Sequence, residues 1–132
     1  MAKGYAPKLP LQYDPIDGYY RMNRTLGEVI KQNIKMVVLT VPGERMMNPS
    51  FGVGLRNFLF EQEGSAVLPR LKSRIMSQLK KYVPYAKILE IKSVKLQDIP
   101  GESDPTNSFG VQLIYTVAAA GISDSVTITF KK

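Results

Sequence analysis

Cysteine and histidine are both missing from the 132 residues of this sequence. Their absence removes disulfide staples, thiolate nucleophiles, imidazole acid–base catalysis and zinc sites of the usual ligand types. No cofactor or metal is expected. Acids are scarce as well: 11 stand against 18 lysines and arginines, a balance of +7 that favours negatively charged partners without naming their kind. Long apolar runs are also lacking. The opening "MAKGYAPKLPLQYDPIDG" holds no signal-like core, and no later stretch approaches the roughly 18 to 20 apolar residues of a membrane span. The expectation is a soluble protein made in a cytoplasm, with no membrane partner.

What is present suffices for one core, since hydrophobic residues make up 44% of the chain and aromatics 9%. Residues 1–24 carry Tyr5, Tyr13, Tyr19 and Tyr20 among Pro7, Pro10 and Pro15, with no helical period. They read as an extended N-terminal arm whose tyrosines need a surface, either the chain's own body or a neighbour. Residues 25–132 read as the folded domain.

Thr25 followed by Glu28 fits a capping box, and Leu26, Val29, Ile30, Asn33 and Val37 fall on one helical stripe. A helix is therefore predicted from about Leu26 to Leu39 or Thr40, stopped by Val41 and Pro42, with Gly43 free to leave left-handed. "LRNFLFE" can make a short helix. A second long one is predicted from Ser65, with Leu68, Leu71, Ile75, Leu79 and Tyr82 inward and Arg70, Lys72, Arg74, Lys80 and Lys81 outward, until Pro84 ends it.

Beyond Pro84 the period becomes two. Phe109, Val111, Leu113, Tyr115 and Val117 alternate onto one face, as do Val126, Ile128 and Phe130. In "KILEIKSVKLQDI" the apolar phase slips between Leu89/Ile91 and Val94/Leu96, which predicts a β-bulge near Lys92 and Ser93. "PGESDPTNS" reads as a long polar loop and "AGISDS" as a hairpin connection. The fold class is α+β: two long helices and a short one on one face of an antiparallel sheet of three or four strands.

Four kinds of chemistry compete for these residues. Gly52-Val53-Gly54 before a short helix hints at a phosphate cradle, yet the third glycine of the dinucleotide motif and the Gly-Lys-Ser/Thr of the NTPase loop are both absent. Glu44, Glu61, Glu63 and Glu90 supply carboxylates for a glycosidase, but no spacing selects a pair, and Glu44 beside Arg45 suits an ion pair or loop-fixing hydrogen bonds. The basic face from Arg70 to Lys81 has no interleaved aromatic to stack a base, which disfavours nucleic acid against a solvated face or an acidic protein surface. The fourth reading is an interaction platform. "PGERMMNPSFGVG" has prolines and glycines enough to hold one shape, with Met46, Met47 and Phe51 either filling the core or offered outward.

The stretch "QNIKMVVLTVPGERMMNPSFGVGLRNFLFE", Gln32 to Glu61, resembles the signature of the contractile-tail baseplate wedge family, the lysozyme-like or GPW-like proteins of myophages. Relatives occur in type VI secretion baseplates and contractile bacteriocins. The resemblance extends more loosely from about Thr25 to Phe130 and leaves the arm outside. It implies a non-enzymatic wedge component of a virion tail, assembled in the bacterial host cytoplasm. The implied partners are other wedge proteins, the tail sheath protein, and tail tube or baseplate hub proteins; the alternative is a peptidoglycan-cleaving glycosidase of the tail.

The resemblance further implies that the sheet is like the sheath's own interlocking domain, where arms of neighbours add strands to an open edge. Val126, Thr127, Ile128, Thr129 and Phe130, with the facing strand, would form that acceptor. Glu44, Arg45, Met47 and Phe51 match the family's loop, where Arg45 is expected to tie the chain through several hydrogen bonds. Family members often carry Glu-Pro-Arg after the second long helix; here Val83-Pro84-Tyr85 stands there, so docking at Pro84 and Tyr85 would rest on shape and a tyrosine hydroxyl.

Overall fold

The computed structural model describes residues 4–16, 18–58, 66–95 and 108–131. Glu61, Glu63, Ser65, Leu96 and the loop 100–107 lie outside the described residues.

The first helix, α1 (Leu26–Leu39), begins and ends as the sequence dictates. The Thr25 hydroxyl accepts the Glu28 amide at 3.3 Å, and Glu28 Oε2 accepts the Thr25 and Arg24 amides at 3.2 and 3.0 Å. Those bonds satisfy donors that no helical carbonyl can reach. At the other end, the Thr40 hydroxyl and amide both donate to the Met36 carbonyl, at 2.6 and 3.1 Å. The buried stripe is Ile30, Ile34, Val37 and Val38, rotated from the expected one: Leu26 is exposed, and Ile34 replaces Asn33 at the centre.

A four-residue helix, α2 (Leu55–Phe58), seats Leu55 in the core. The second long helix, α3 (Val67–Tyr82), buries Leu71, Ile75 and Leu79 at spacings of four, each worth roughly 1.5–3 kcal/mol relative to exposure. Leu68 is more exposed than expected. Lys80 and Lys81 fall in the last turn, where cations complement the helix dipole.

The arm is not a free tail. Two short strands, β1 (Ala6–Pro7) and β2 (Met22–Asn23), pair antiparallel, and Tyr13 bridges Tyr20. Gln32 on α1 fastens this hairpin: its Oε1 accepts the Leu9 amide and Asn23 Nδ2, and its Nε2 donates to the Pro7 carbonyl, at 2.9–3.0 Å. The tyrosines nevertheless stay outward, Tyr5, Tyr13 and Tyr19 being at least 70% exposed.

The main sheet is antiparallel in the order β3 (Lys87–Lys95), β4 (Ser108–Val117), β5 (Ile122–Lys131). On β4, Val111, Leu113, Tyr115 and Val117 are buried, and on β5 Val126 and Ile128 join them, so the expected alternation holds. α1 touches β5 and α3, while α3 touches β3. A 3₁₀ turn at Ala118–Ala120 and Gly121 make the β4–β5 connection.

The bulge is misplaced in the sequence reading. The ladder pairs Ile88 with Tyr115 and Glu90 with Ile114, leaving Leu89 as the extra residue, whereas Lys92 and Ser93 pair regularly with Gln112 and Val111. Inserting one residue brings Ile88 and Ile91 to the same face and turns Leu89, 59% exposed, away from the core.

Candidate interaction surfaces

Between α1 and α2 the chain makes three successive turns, each closed by a hydrogen bond from residue i+3 to residue i. Glu44 donates to the Val41 carbonyl at 3.1 Å, Asn48 to Arg45 at 3.2 Å, and Phe51 to Asn48 at 3.1 Å. Pro42 and Gly43 are the central pair of the first turn, and φ of +96° at Gly43 fits its second central position. Pro49 takes the first central position of the third, as Pro42 does in the first. The Gly43 amide reaches the Pro49 carbonyl at 2.9 Å and draws the three turns into one closed loop.

This loop is anchored on both long helices. The Val53 amide takes the Val37 carbonyl at 3.0 Å, one of the acceptors that the end of α1 leaves open. From α3, Gln78 accepts the Gly52 amide at 3.1 Å and donates to the Ser50 carbonyl at 3.2 Å, acting as a short strand would. Tyr82 exchanges hydrogen bonds with the Asn48 amide group, and its hydroxyl is shifted below the ordinary tyrosine value by the Ser50 and Asn48 side chains. Gly52 sits so close to α1 that a Cβ would lie 2.2 Å from the Thr40 carbonyl oxygen.

The residues expected to act from this loop separate into inward and outward ones. Glu44 fixes the loop, its carboxylate accepting the Val41 amide at 3.0 Å. Phe51 is buried against Tyr82, rings 4.7 Å apart and edge-on, so any contact it makes outside the chain is indirect. Arg45 corrects the sequence reading. No side-chain hydrogen bond from it is found among the described residues; its guanidinium lies 3.8 Å over the Phe51 ring, and stacking replaces the expected set of donor bonds. Met46 and Met47 do not fill the core: they are 94% and 99% exposed.

Pro84 and Tyr85 lie exposed just after α3, with Val83 buried beneath them. The Tyr85 hydroxyl accepts Asn33 Nδ2 at 3.0 Å, tying this corner to α1. Sequence reasoning overlooked Asn48 and Gln78. A spacing of four between Gln78 and Tyr82 on one helix face was the available signal.

The proposed acceptor strand, β5, has β4 as its only paired strand among the described residues, in register without interruption from Ile122 to Lys131. Val126 and Ile128 are buried, Thr127 and Thr129 exposed, and only the backbone of Phe130 is described. At its start, Asp124 Oδ1 accepts the Ser125 amide at 2.7 Å, and Asp124 Oδ2 accepts Lys31 Nζ from α1 at 3.2 Å. The Ser125 amide, and secondarily Lys31, hold the Asp124 carboxyl below the ordinary aspartate value.

Carboxylates for hydrolysis are poorly placed among the described residues. Glu90 pairs with Lys92 at 3.2 Å on the surface. An open groove of about 390 Å³ between the arm and α1 has Asp14 and Glu28 in its lining, together with Lys8, Arg21 and Arg24. Yet Glu28 is already bound to the Thr25 and Arg24 amides, which lower its pKa, the wrong direction for a general acid.

No curated protein sequence matches the chain. Among solved structures, a candidate tail lysozyme from Geobacter sulfurreducens is 20% identical, with a TM-score of 0.64 over 81% of this chain and 91% of that one. A chain of the anti-feeding prophage (AFP) baseplate is 24% identical, with a TM-score of 0.64 over 83% of this chain and 82% of the other. Both likenesses are of fold. The family model for baseplate wedge protein gp25 matches residues 24–121, a span holding α1, the three-turn loop, α3, β3 and β4. The chain thus belongs to the baseplate wedge protein gp25 family, and its role is a structural one in a baseplate.

Proposed function

We propose that this protein is a wedge component that binds other wedge proteins of a contractile tail and starts the sheath by accepting a strand on the outer margin of β5. Residues 25–132 would be the wedge domain and residues 1–24 an appended arm. Assembly would take place in the host cytoplasm, and the finished product would sit in the tail baseplate beside the sheath and the tube or hub proteins. Pro84 and Tyr85 would dock by shape, and the basic side of α3 would face acidic patches. The helices would cover the sheet face bearing Val111, Leu113 and Tyr115.

The observation that carries this reading is the inequality of the two sheet edges. β3 has its ladder broken by Leu89 and is set with Lys87, Glu90 and Lys92, devices that discourage pairing. β5 runs ten residues without a bulge. The Ser125 amide is engaged by the Asp124 carboxylate; if that turns it from β4, the two-residue alternation would turn the Thr127 and Thr129 amides the same way. Backbone pairing there would give affinity, and the alternating side chains register.

Proline at Thr127 or Thr129 removes an outward donor and tests the reading. Each variant is expected to fold and to enter baseplates but to start no sheath; normal sheath polymerisation would overturn the strand-addition mechanism. The glycosidase alternative is tested by turbidity of purified peptidoglycan, where lysis abolished by Glu44→Gln or Glu61→Gln would favour an enzyme.

A further inference from the structure

We infer that Met46 and Met47 form a preformed knob that inserts into an apolar socket, rimmed with carboxylates, on a neighbouring baseplate protein. The inference rests on the baseplate reading above and adds a further contact, independent of the β5 margin, together with the chemistry of its partner.

The two methionines are the most exposed large apolar residues described, and they fill the two central positions of the turn from Arg45 to Asn48. A turn facing water favours proline, glycine, asparagine, aspartate or serine there, because those residues set the backbone or hydrate well. Two long apolar chains gain nothing in that place unless something covers them. The turn does not need them for its shape: its bonds are made by the backbone, by Gln78 and by Tyr82.

Rigidity makes the knob effective. A loop closed by Gly43 and Pro49 and fastened to both helices has already given up the freedom that binding would otherwise remove. Methionine, unbranched and polarisable, fits sockets that a β-branched residue would not.

The surroundings specify the rim. At the base of the knob Arg45 lies over Phe51, Phe51 meets Tyr82, and Lys81 Nζ stands 5.1 Å over the Tyr82 ring, so two cations flank one aromatic pair. α3 carries no acid along its whole length, and Glu44 is occupied by the Val41 amide. A complementary surface is therefore apolar at its centre and anionic around it. Nucleic acid supplies the charge but no apolar centre.

The test compares hydrogen-peroxide oxidation of Met46 and Met47, read by mass spectrometry, in the isolated chain and in purified contractile particles. Both are expected to oxidise freely in the isolated chain and on the order of tenfold more slowly in particles. Equal rates in the two states would overturn the knob while leaving the baseplate reading standing. A chain absent from particles would overturn both. Photo-methionine at Met46 or Met47 is expected to cross-link to a different baseplate protein, beside aspartates or glutamates; an adduct only with a second copy of this chain would overturn the assignment. The double variant Met46→Ser/Met47→Ser is expected to melt as the parent does and to be lost from particles, with Met46→Leu/Met47→Leu restoring incorporation. Full incorporation of the serine variant would also overturn it.

Discussion

Lys31 and Asp124, 93 residues apart in sequence, meet at 3.2 Å and join α1 to the first residues of β5. The same carboxylate holds the Ser125 amide, so one side chain fixes both the helix above the strand and the start of its outer edge. Both partners are partly open to water, which keeps the ion pair itself a small contribution.

Acid should loosen this arrangement. Asp124 and Glu28 both have pKa values below their ordinary 3.8 and 4.5, because backbone amides favour the charged forms. A depressed folded-state value adds stability above the ordinary value, and that gain is lost as pH falls through the folded one. The urea midpoint of the parent is expected to drop in that acid range. Asp124→Asn/Glu28→Gln should be less stable than the parent at neutral pH and show a shallower acid decline; identical profiles would refute the assignment.

Gly52 and Gly43 share positive φ, at +105° and +96°, but not surroundings. A Cβ at Gly52 would meet the Thr40 carbonyl, which cannot move without breaking the end of α1, whereas nothing lies within 4 Å of one at Gly43. Gly43→Ala is expected to cost about 1–2 kcal/mol through backbone conformation alone. Gly52→Ala should cost clearly more, about 3 kcal/mol or above, in thermal or urea unfolding.

The Arg45 stack on Phe51 is expected to contribute about 0.5–1 kcal/mol, as for an exposed cation over a ring. Arg45→Lys should retain part of it and Arg45→Ala none, since lysine lacks the flat guanidinium. A double-mutant cycle with Phe51→Leu checks this: additive losses would mean that the two side chains do not interact.

Tyr115 is fully buried in β4, and its hydroxyl has no hydrogen-bond partner among the described residues. Burial, and to a lesser degree the Asp124 charge, push its pKa from 10.0 up to about 12. Its contribution therefore persists below pH 10.0 and is lost as pH rises towards about 12, where the unfolded chain ionises first. Tyr115→Phe removes an unpaired polar atom and is expected to match or exceed the parent in stability at neutral pH. It should also resist alkaline unfolding better, measured by circular dichroism across that range.

Features decided by neighbours in the chain were the readable ones. The capping box at Thr25 and Glu28, the stop before Pro42 and the alternation from Val111 to Val117 each depend on residues a few positions apart. The bulge was expected in this strand but three or four residues too late, because Leu89 and Ile91 look like one face when apolar character is equated with burial; on an edge strand Leu89 can be exposed at little cost. The Arg45 stack was hidden for a different reason. Which of several loop residues a guanidinium covers depends on the path of three turns, and that path is set by Gln78 and Tyr82 from a helix far along the chain.

The kink at Leu89 has a consequence for growth. A sheet with two equivalent margins could be extended from either side and would give branched or back-to-back assemblies. If strands add as proposed above, one distorted, charged flank and one straight flank would give accretion a polarity, so that a ring of such subunits would seed a filament in a single sense.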